Sequence, residues 1–193
     1  MKLISTALLT FIVVLPMAGC AEPVAQAPPA AEPVAQTPPA VESIVVSTVD
    51  PAELLPKGNL PIEGVLTGGQ PTTAQLETLA GLGYETVINL RGPGESGSTD
   101  PALVESLGMT YVAIPVMGAD DISEENARKL ASAMGDGESP VVLHCASSNR
   151  VGALLAMKAF YVDGMTAEEA LALGKAAGVT RLEPVVRQRL GLE

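Results

Sequence analysis

Tryptophan is absent from this 193-residue chain, and the aromatic residues amount to two Phe and three Tyr. A chain so poor in rings offers no recognisable pocket for a phosphotyrosine side chain. Basic residues are also scarce: eleven Lys and Arg stand against twenty-two Asp and Glu, a formal charge of −11. Such a balance repels nucleic acid and anionic membrane surfaces, and it makes any phosphate site a local exception. Histidine occurs once, His144, and cysteine twice, Cys20 and Cys145. One imidazole and one available thiol are too few for metal-ligand spacing, so neither metal nor cofactor is expected. The apolar stretch from Leu3 to Leu15 is too short and wrongly flanked for a membrane-spanning helix.

That stretch reads instead as an export signal over residues 1–19: Lys2 supplies the positive start, and the small residues Ala18 and Gly19 precede Cys20. LPMAGC resembles a bacterial lipobox. The resemblance implies cleavage before Cys20, diacylglycerol on its sulfur, and a protein tethered to the membrane only through that lipid. Ala21 and Glu22 in place of Asp after the cysteine favour the outer membrane, with the domain facing the periplasm. The alternative is an ordinary secretory signal with an incidental cysteine. A lipidated Cys20 leaves Cys145 without a disulfide partner, an exposed chemical liability in an oxidising compartment and a reason to regard it as reactive. Residues 20–59 read as tether and linker. Two near-identical decapeptides, AEPVAQAPPA (21–30) and AEPVAQTPPA (31–40), are dense enough in proline to favour polyproline II, which at about 3.1 Å per residue reaches roughly 60 Å. SIVVSTVD (43–50) is β-rich and reads as an edge strand or ordered linker.

Residues 60–193 read as one α/β domain, a small parallel-type sheet with helices on both faces. GVLTGGQP (64–71) is a strand ending in a turn, and Thr72 or Thr73 can cap the helix TAQLETLAGLG. ETVINL (85–90) is a buried strand, and RGPGESGSTD a loop. Asp100 caps PALVESLG, TYVAIPV (110–116) is the next strand, and Ser123 caps EENARKLASAMG. PVVLH (140–144) precedes the motif HCASSNR (144–150), after which two helices separate at Asp163 and Gly164 before a last short helix around 181–190. Strand and helix alternation of this kind builds a parallel sheet, whose ligands sit beyond the carboxyl ends of the strands.

HCASSNR occupies such an end. With a strand stopping at His144 and a helix starting near Arg150, the backbone N–H groups of Ala146, Ser147, Ser148 and Asn149 can point inward, and the helix start adds unpaired donors and positive dipole. The result is an anion cradle, in which Cys145 experiences a potential favouring the attacking thiolate form. Arg150 can grip two phosphate oxygens through its planar fork. These parts suit phosphoryl transfer through a thiophosphate on Cys145, released by water. His144, adjacent on the strand, points to the other face and braces the loop. Arg91 either pairs with an acid such as Glu95 or lines the pocket mouth.

HCASSNR, with PVVL before it and an apolar helix after it, resembles the active-site loop of the cysteine-dependent phosphatase superfamily. It is most similar to the bacterial phosphatase-like domains of beta-lactamase-hydrolase-like proteins. The GQP turn (Gly69, Gln70, Pro71), the VINLR strand (Val87 to Arg91) and the IPV strand end (Ile114 to Val116) extend the resemblance over roughly residues 62–165. It implies a phosphatase-like fold and hydrolysis of a small phosphorylated substrate or a phosphoprotein. It also implies a general acid from the loop after IPV, Asp120 being favoured over Asp121. The sequence departs from tyrosine phosphatases in placing four rather than five residues between Cys145 and Arg150, the count found in rhodaneses. Ser148 stands where glycine is frequent, and Val151 where a hydroxyl residue follows the arginine. Two further readings therefore stay open: a sulfurtransferase handling a sulfur-containing substrate through a persulfide, and a non-catalytic anion-binding envelope lipoprotein.

Overall fold

The computed structural model describes residues 49–192. The signal segment, Cys20 and the proline-rich repeats lie outside the described residues. Within them the most apolar short run, VVLH, forms β5 (Val141–His144), with all four residues buried. A strand buried on both faces needs a neighbour on each edge. β2 (Val65–Gly68) and β3 (Thr86–Asn89) fill these places, both parallel to it, with Gly68 and Asn89 each level with His144. β4 (Thr110–Ala113) extends the sheet beside β3, again parallel. β1 (Asn59–Ile62) pairs antiparallel with β2, giving the order β1-β2-β5-β3-β4.

Alternation along the strands divides the apolar residues between two cores. Val65, Ile88, Val141 and Leu143 pack under α4 (Glu124–Met134), α5 (Asn149–Tyr161), α6 (Ala167–Ala176) and α7 (Glu183–Leu190). Leu66, Val87 and Val142 face the opposite way, against α1 (Pro51–Leu54), α2 (Thr73–Gly81) and α3 (Pro101–Ser106). The expected α/β sheet covered on both faces is what forms, and the expected caps are in place. Thr72 closes a capping box with Gln75, Asp100 accepts from the Ala102 N–H, and Ser123 accepts from that of Asn126.

Two elements differ from the sequence reading. The hairpin strand β1 contains Pro61, which argues against a strand by propensity; it is tolerated because β1 lies at the sheet edge, where a missing N–H costs no ladder bond. Ahead of it, in the stretch that composition assigns to linker, Leu54 and Leu55 are buried against the second core. Their alternative, two leucines left in water, would forfeit about 2 kcal/mol each.

Helix α5 is the element on which the site depends, and it is buried along most of its length. It crosses α6 where glycine faces glycine: a Cβ on Gly152 would run into the Gly174 carbonyl and Val179 N. This close crossing brings residues 177–182, which follow α6, over the start of α5.

Candidate active site

The carboxyl ends of the parallel strands gather four loops. Gly68 to Gln70 follow β2, Arg91 to Glu95 follow β3, Val116 follows β4, and Cys145 to Arg150 follow β5. Because neighbours on a strand point oppositely, His144 faces the α1–α3 side, whereas Cys145 joins the core beneath α5. Cys145 is a free thiol, 1% exposed, and its N–H donates to the Gly68 carbonyl at 3.2 Å. Ser147 bridges to Gly69, whose missing side chain is needed: a Cβ there would lie 2.9 Å from the Pro56 carbonyl and 3.1 Å from that of Ala146. Ser148 turns the chain in the left-handed region, φ 64°, before α5 begins. A non-glycine residue in that region costs on the order of 1 kcal/mol, and the Ser148 hydroxyl offsets part of it by donating to the Ala177 carbonyl at 2.7 Å.

Through this turn, apart from the bridge that ties Ser147 to Gly69, no backbone N–H from Ala146 to Val151 makes a close backbone hydrogen bond among the described residues; the next bonded amide is Gly152, which donates to the Ser148 carbonyl. The donors left over, three of them in the first turn of α5, make this end of the loop positive. The side chains of Ser148 and Asn149 point elsewhere. The Asn149 carboxamide oxygen accepts from Thr180 N (2.8 Å), Thr180 Oγ1 (3.1 Å) and Leu182 N (3.2 Å), tying the 180–182 segment to the loop.

The charge of Arg150 is stabilised chiefly by its hydrogen bonds to Glu95, with a smaller contribution from Cys145. Its principal partner is Glu95, met by Nη1 at 2.6 Å and Nη2 at 2.8 Å, while Nη1 also donates to the Val116 carbonyl at 3.0 Å. Glu95 is shared. Arg91 donates to it through Nε at 3.1 Å, the Gly92 N–H at 2.7 Å. The hydrogen bond from Arg150 first, then those from Gly92 and Arg91, hold the Glu95 carboxyl far below the usual carboxylate range against an opposing effect of burial. Arg91 is further fixed by Gln70 Oε1 at 2.8 Å and by the Gly97 and Ser96 carbonyls. Gln70 Nε2 in turn donates to Thr99 Oγ1 at 2.6 Å, and Thr99 Oγ1 lies 3.2 Å from His144 Nε2. One chain of contacts, His144–Thr99–Gln70–Arg91–Glu95–Arg150, therefore links the GQP turn, the VINLR strand end and the cysteine loop.

His144 is fully buried, and burial pushes its pKa down to about 4. Thr99 Oγ1, which accepts from Gln70 Nε2, is also the polar contact of His144 Nε2. The ring is neutral and structural, as the strand alternation predicts. Since the folded-state value lies below the unfolded one, the unfolded chain binds the extra proton first, and stability falls as pH drops from about 6.5 towards 4. The single imidazole is expected to titrate near pH 4 by NMR, with no inflection near 6.5 in the native protein.

Of the two acids proposed from the sequence, Asp120 is fully exposed and lies 3.5 Å from Arg189 of α7. Asp121 accepts from the N–H groups of Met117 (2.6 Å) and Gly118 (3.2 Å). Neither lines the cavity of about 360 Å³ beside Arg150, whose walls are Val116, Met117, Gly118, Asn149, Arg150, Arg181 and Leu182. A larger hollow of about 460 Å³ between α6 and α7 has no cysteine, serine or threonine in its lining. The sequence offers Glu95 as one acidic neighbour for Arg91, with the pocket mouth as the alternative, but the bond of Glu95 to Arg150, 55 positions on, has no local signal. Thr99 and Arg181 had none either.

A mixed, mainly parallel α/β sheet with a buried cysteine at the end of its central strand and an arginine in the first turn of the next helix defines a protein-tyrosine-phosphatase-like fold and loop. Residues 58–184 match the family described as DSP-PTPase phosphatase fused to NAD+ Kinase, and the chain belongs to that family. Among curated relatives, a beta-lactamase hydrolase-like protein of Xylella fastidiosa (strain Temecula1) is 31% identical over 121 residues, covering 60% of this chain and 28% of its own. One from Agrobacterium fabrum is 33% identical over 93 residues, 46% of this chain and 21% of its own. The chain thus spans less than a third of these relatives. A solved structure of a candidate phosphatase from Neisseria meningitidis z2491 is 26% identical, with TM-score 0.57, over 70% of this chain and 97% of that one. P. aeruginosa TpbA shares the fold at 21% identity and TM-score 0.51, over 66% and 78% of the two chains.

Proposed function

We propose that the domain of residues 60–193, with the 51–58 segment anchored on it by Leu54 and Leu55, hydrolyses phosphomonoesters through a cysteinyl-phosphate intermediate. The observation that carries this reading is the turn from Cys145 into α5, whose first-turn amides lack backbone acceptors among the described residues, with Arg150 in that same helical turn. Three phosphoryl oxygens match such a set of donors. Cys145 Sγ attacks phosphorus opposite the ester oxygen. The P–O bond breaks, and its electron pair leaves on oxygen, which takes a proton. Water then attacks phosphorus and loses a proton, the S–P pair returns to sulfur, and inorganic phosphate departs. The amides and Arg150 stabilise the equatorial oxygens throughout both displacements. Asp120 is the acid and later the base in this scheme. It serves from the turn beside Met117 and Gly118 once its carboxylate leaves Arg189 and turns inward.

Acid-quenched turnover of an aryl phosphate tests the scheme, read by mass spectrometry of the peptide containing Cys145. A phosphoryl adduct on that peptide is expected. A persulfide adduct after incubation with thiosulfate, without phosphate release, would replace this reading with sulfur transfer. We also propose that the domain is carried outside the cytoplasm on a tether from a lipidated Cys20. An unmodified cysteine in the mature N-terminal peptide would remove the anchor.

A further inference from the structure

We infer that Arg181 reads a second anionic group on the substrate, so that the preferred ligands are phosphomonoesters bearing another phosphate or carboxylate near the scissile one. This rests on the phosphatase reading and adds a substrate class to it.

Two cations line the cavity beside the cradle, Arg150 and Arg181, and they differ in one respect. The charge of Arg150 is met by Glu95. Arg181 forms no ion pair and no side-chain hydrogen bond among the described residues, although the chain carries twice as many acids as bases. Glu183, two residues along the chain, is engaged by Lys175 at 2.8 Å.

Its placement is built, not incidental. The Asn149 carboxamide oxygen holds the residues on either side of Arg181, taking the Thr180 and Leu182 N–H groups and the Thr180 hydroxyl. One turn back, the Ser148 hydroxyl holds the Ala177 carbonyl, and Gly178 lacks a side chain where a Cβ would lie 2.7 Å from Ser148 Cβ. Two side chains of the cradle loop thus spend their polar atoms on fixing residues 177–182, while their backbone amides stay free. A phosphate seated beside Arg150 shares the cavity with an Arg181 guanidinium that has no partner among the described residues, and Met117 and Leu182 add apolar wall to the same cavity. A planar fork in that position matches a second phosphate or a carboxylate.

Phenyl phosphate, 3-carboxyphenyl phosphate and 1,3-phenylene bisphosphate test this by sharing one ring and leaving-group type. The wild-type protein is expected to favour the two compounds that carry a second anionic group over phenyl phosphate by roughly tenfold in kcat/KM, the size of one charge-assisted hydrogen-bonded contact. The difference should sit mainly in KM and shrink as salt is raised. In Arg181→Ala the ratio is expected to fall towards one, and in Arg181→Lys to recover in part. Carboxylate and phosphate arms show which second group is taken. A ratio near one in the wild type, or a ratio unchanged by Arg181→Ala, would overturn the assignment. Calorimetric affinity of Cys145→Ser protein for the same three compounds reads the preference without turnover. Absence of phosphate release would therefore remove the hydrolytic reading alone, and the affinity ratio would still decide the role of Arg181.

Discussion

Replacing Cys145 with Ser is expected to lower phosphomonoester turnover by about four orders of magnitude or more, the scale on which removal of a covalent nucleophile acts. The exchange alters one atom in a site 1% exposed and leaves the Cys145 N–H free to keep its bond to Gly68. The fold and the run of free amides should survive, because neither depends on the sulfur. Phosphate binding should therefore persist while chemistry stops, since a serine hydroxyl holds its proton far more tightly than a thiol. Arg150→Ala has the opposite character. It keeps the nucleophile but removes donors to the equatorial oxygens, a loss of about two to three orders of magnitude by comparison with single oxyanion donors. Steady-state kinetics and phosphate affinity on the two variants separate these effects. Full turnover in Cys145→Ser would eliminate the proposed nucleophile.

Glu95→Gln is expected to destabilise the protein by about 1–3 kcal/mol and to lower kcat/KM at least tenfold, although Glu95 touches neither Cys145 nor the free amides. Its carboxylate lies between two guanidinium groups whose side chains are only 10% and 19% exposed. A neutral amide can accept from one of them but turns an N–H towards the other, leaving two like charges close together in a partly buried place. Arg150 is then free to swing away from the cradle. A double variant with Arg91→Met should recover part of the stability and little of the activity, because it removes the repulsion without restoring the clamp. The pH dependence has a defined sign. Glu95 has a depressed folded-state pKa, so its contribution is full above the unfolded value near 4.5 and is lost as pH falls below it. His144 acts in the window above that, from about 6.5 down to 4. Urea unfolding from pH 7 to pH 3 should show both, and Glu95→Gln should flatten only the lower one.

Much of the fold was readable along the chain because its determinants are local. The run VVLH has no polar face and requires a central strand; Thr72, Asp100 and Ser123 announce helix starts through side chains that bond amides three residues away or fewer. Strand alternation alone assigned His144 and Cys145 to opposite faces and so removed the histidine as a base. Where local preference opposed the outcome, the reading failed: Pro61 concealed the edge strand, and two leucines after a proline-rich tract passed for linker.

The amino-acid sequence by itself determined the α/β class, the position of HCASSNR at a strand end and the identity of its nucleophile and arginine as candidates, because turns, caps and strand periods are set by neighbours in the chain. Only the tertiary structure decided that Glu95 clamps Arg150 and that Asn149 serves the 180–182 segment. It also decided that Arg181 faces the cavity and that Asp120 rests on Arg189. Each of these is a contact between residues tens of positions apart, fixed by strand order and by the close crossing of α5 and α6. Charge complementarity has no period that a linear pattern could reveal.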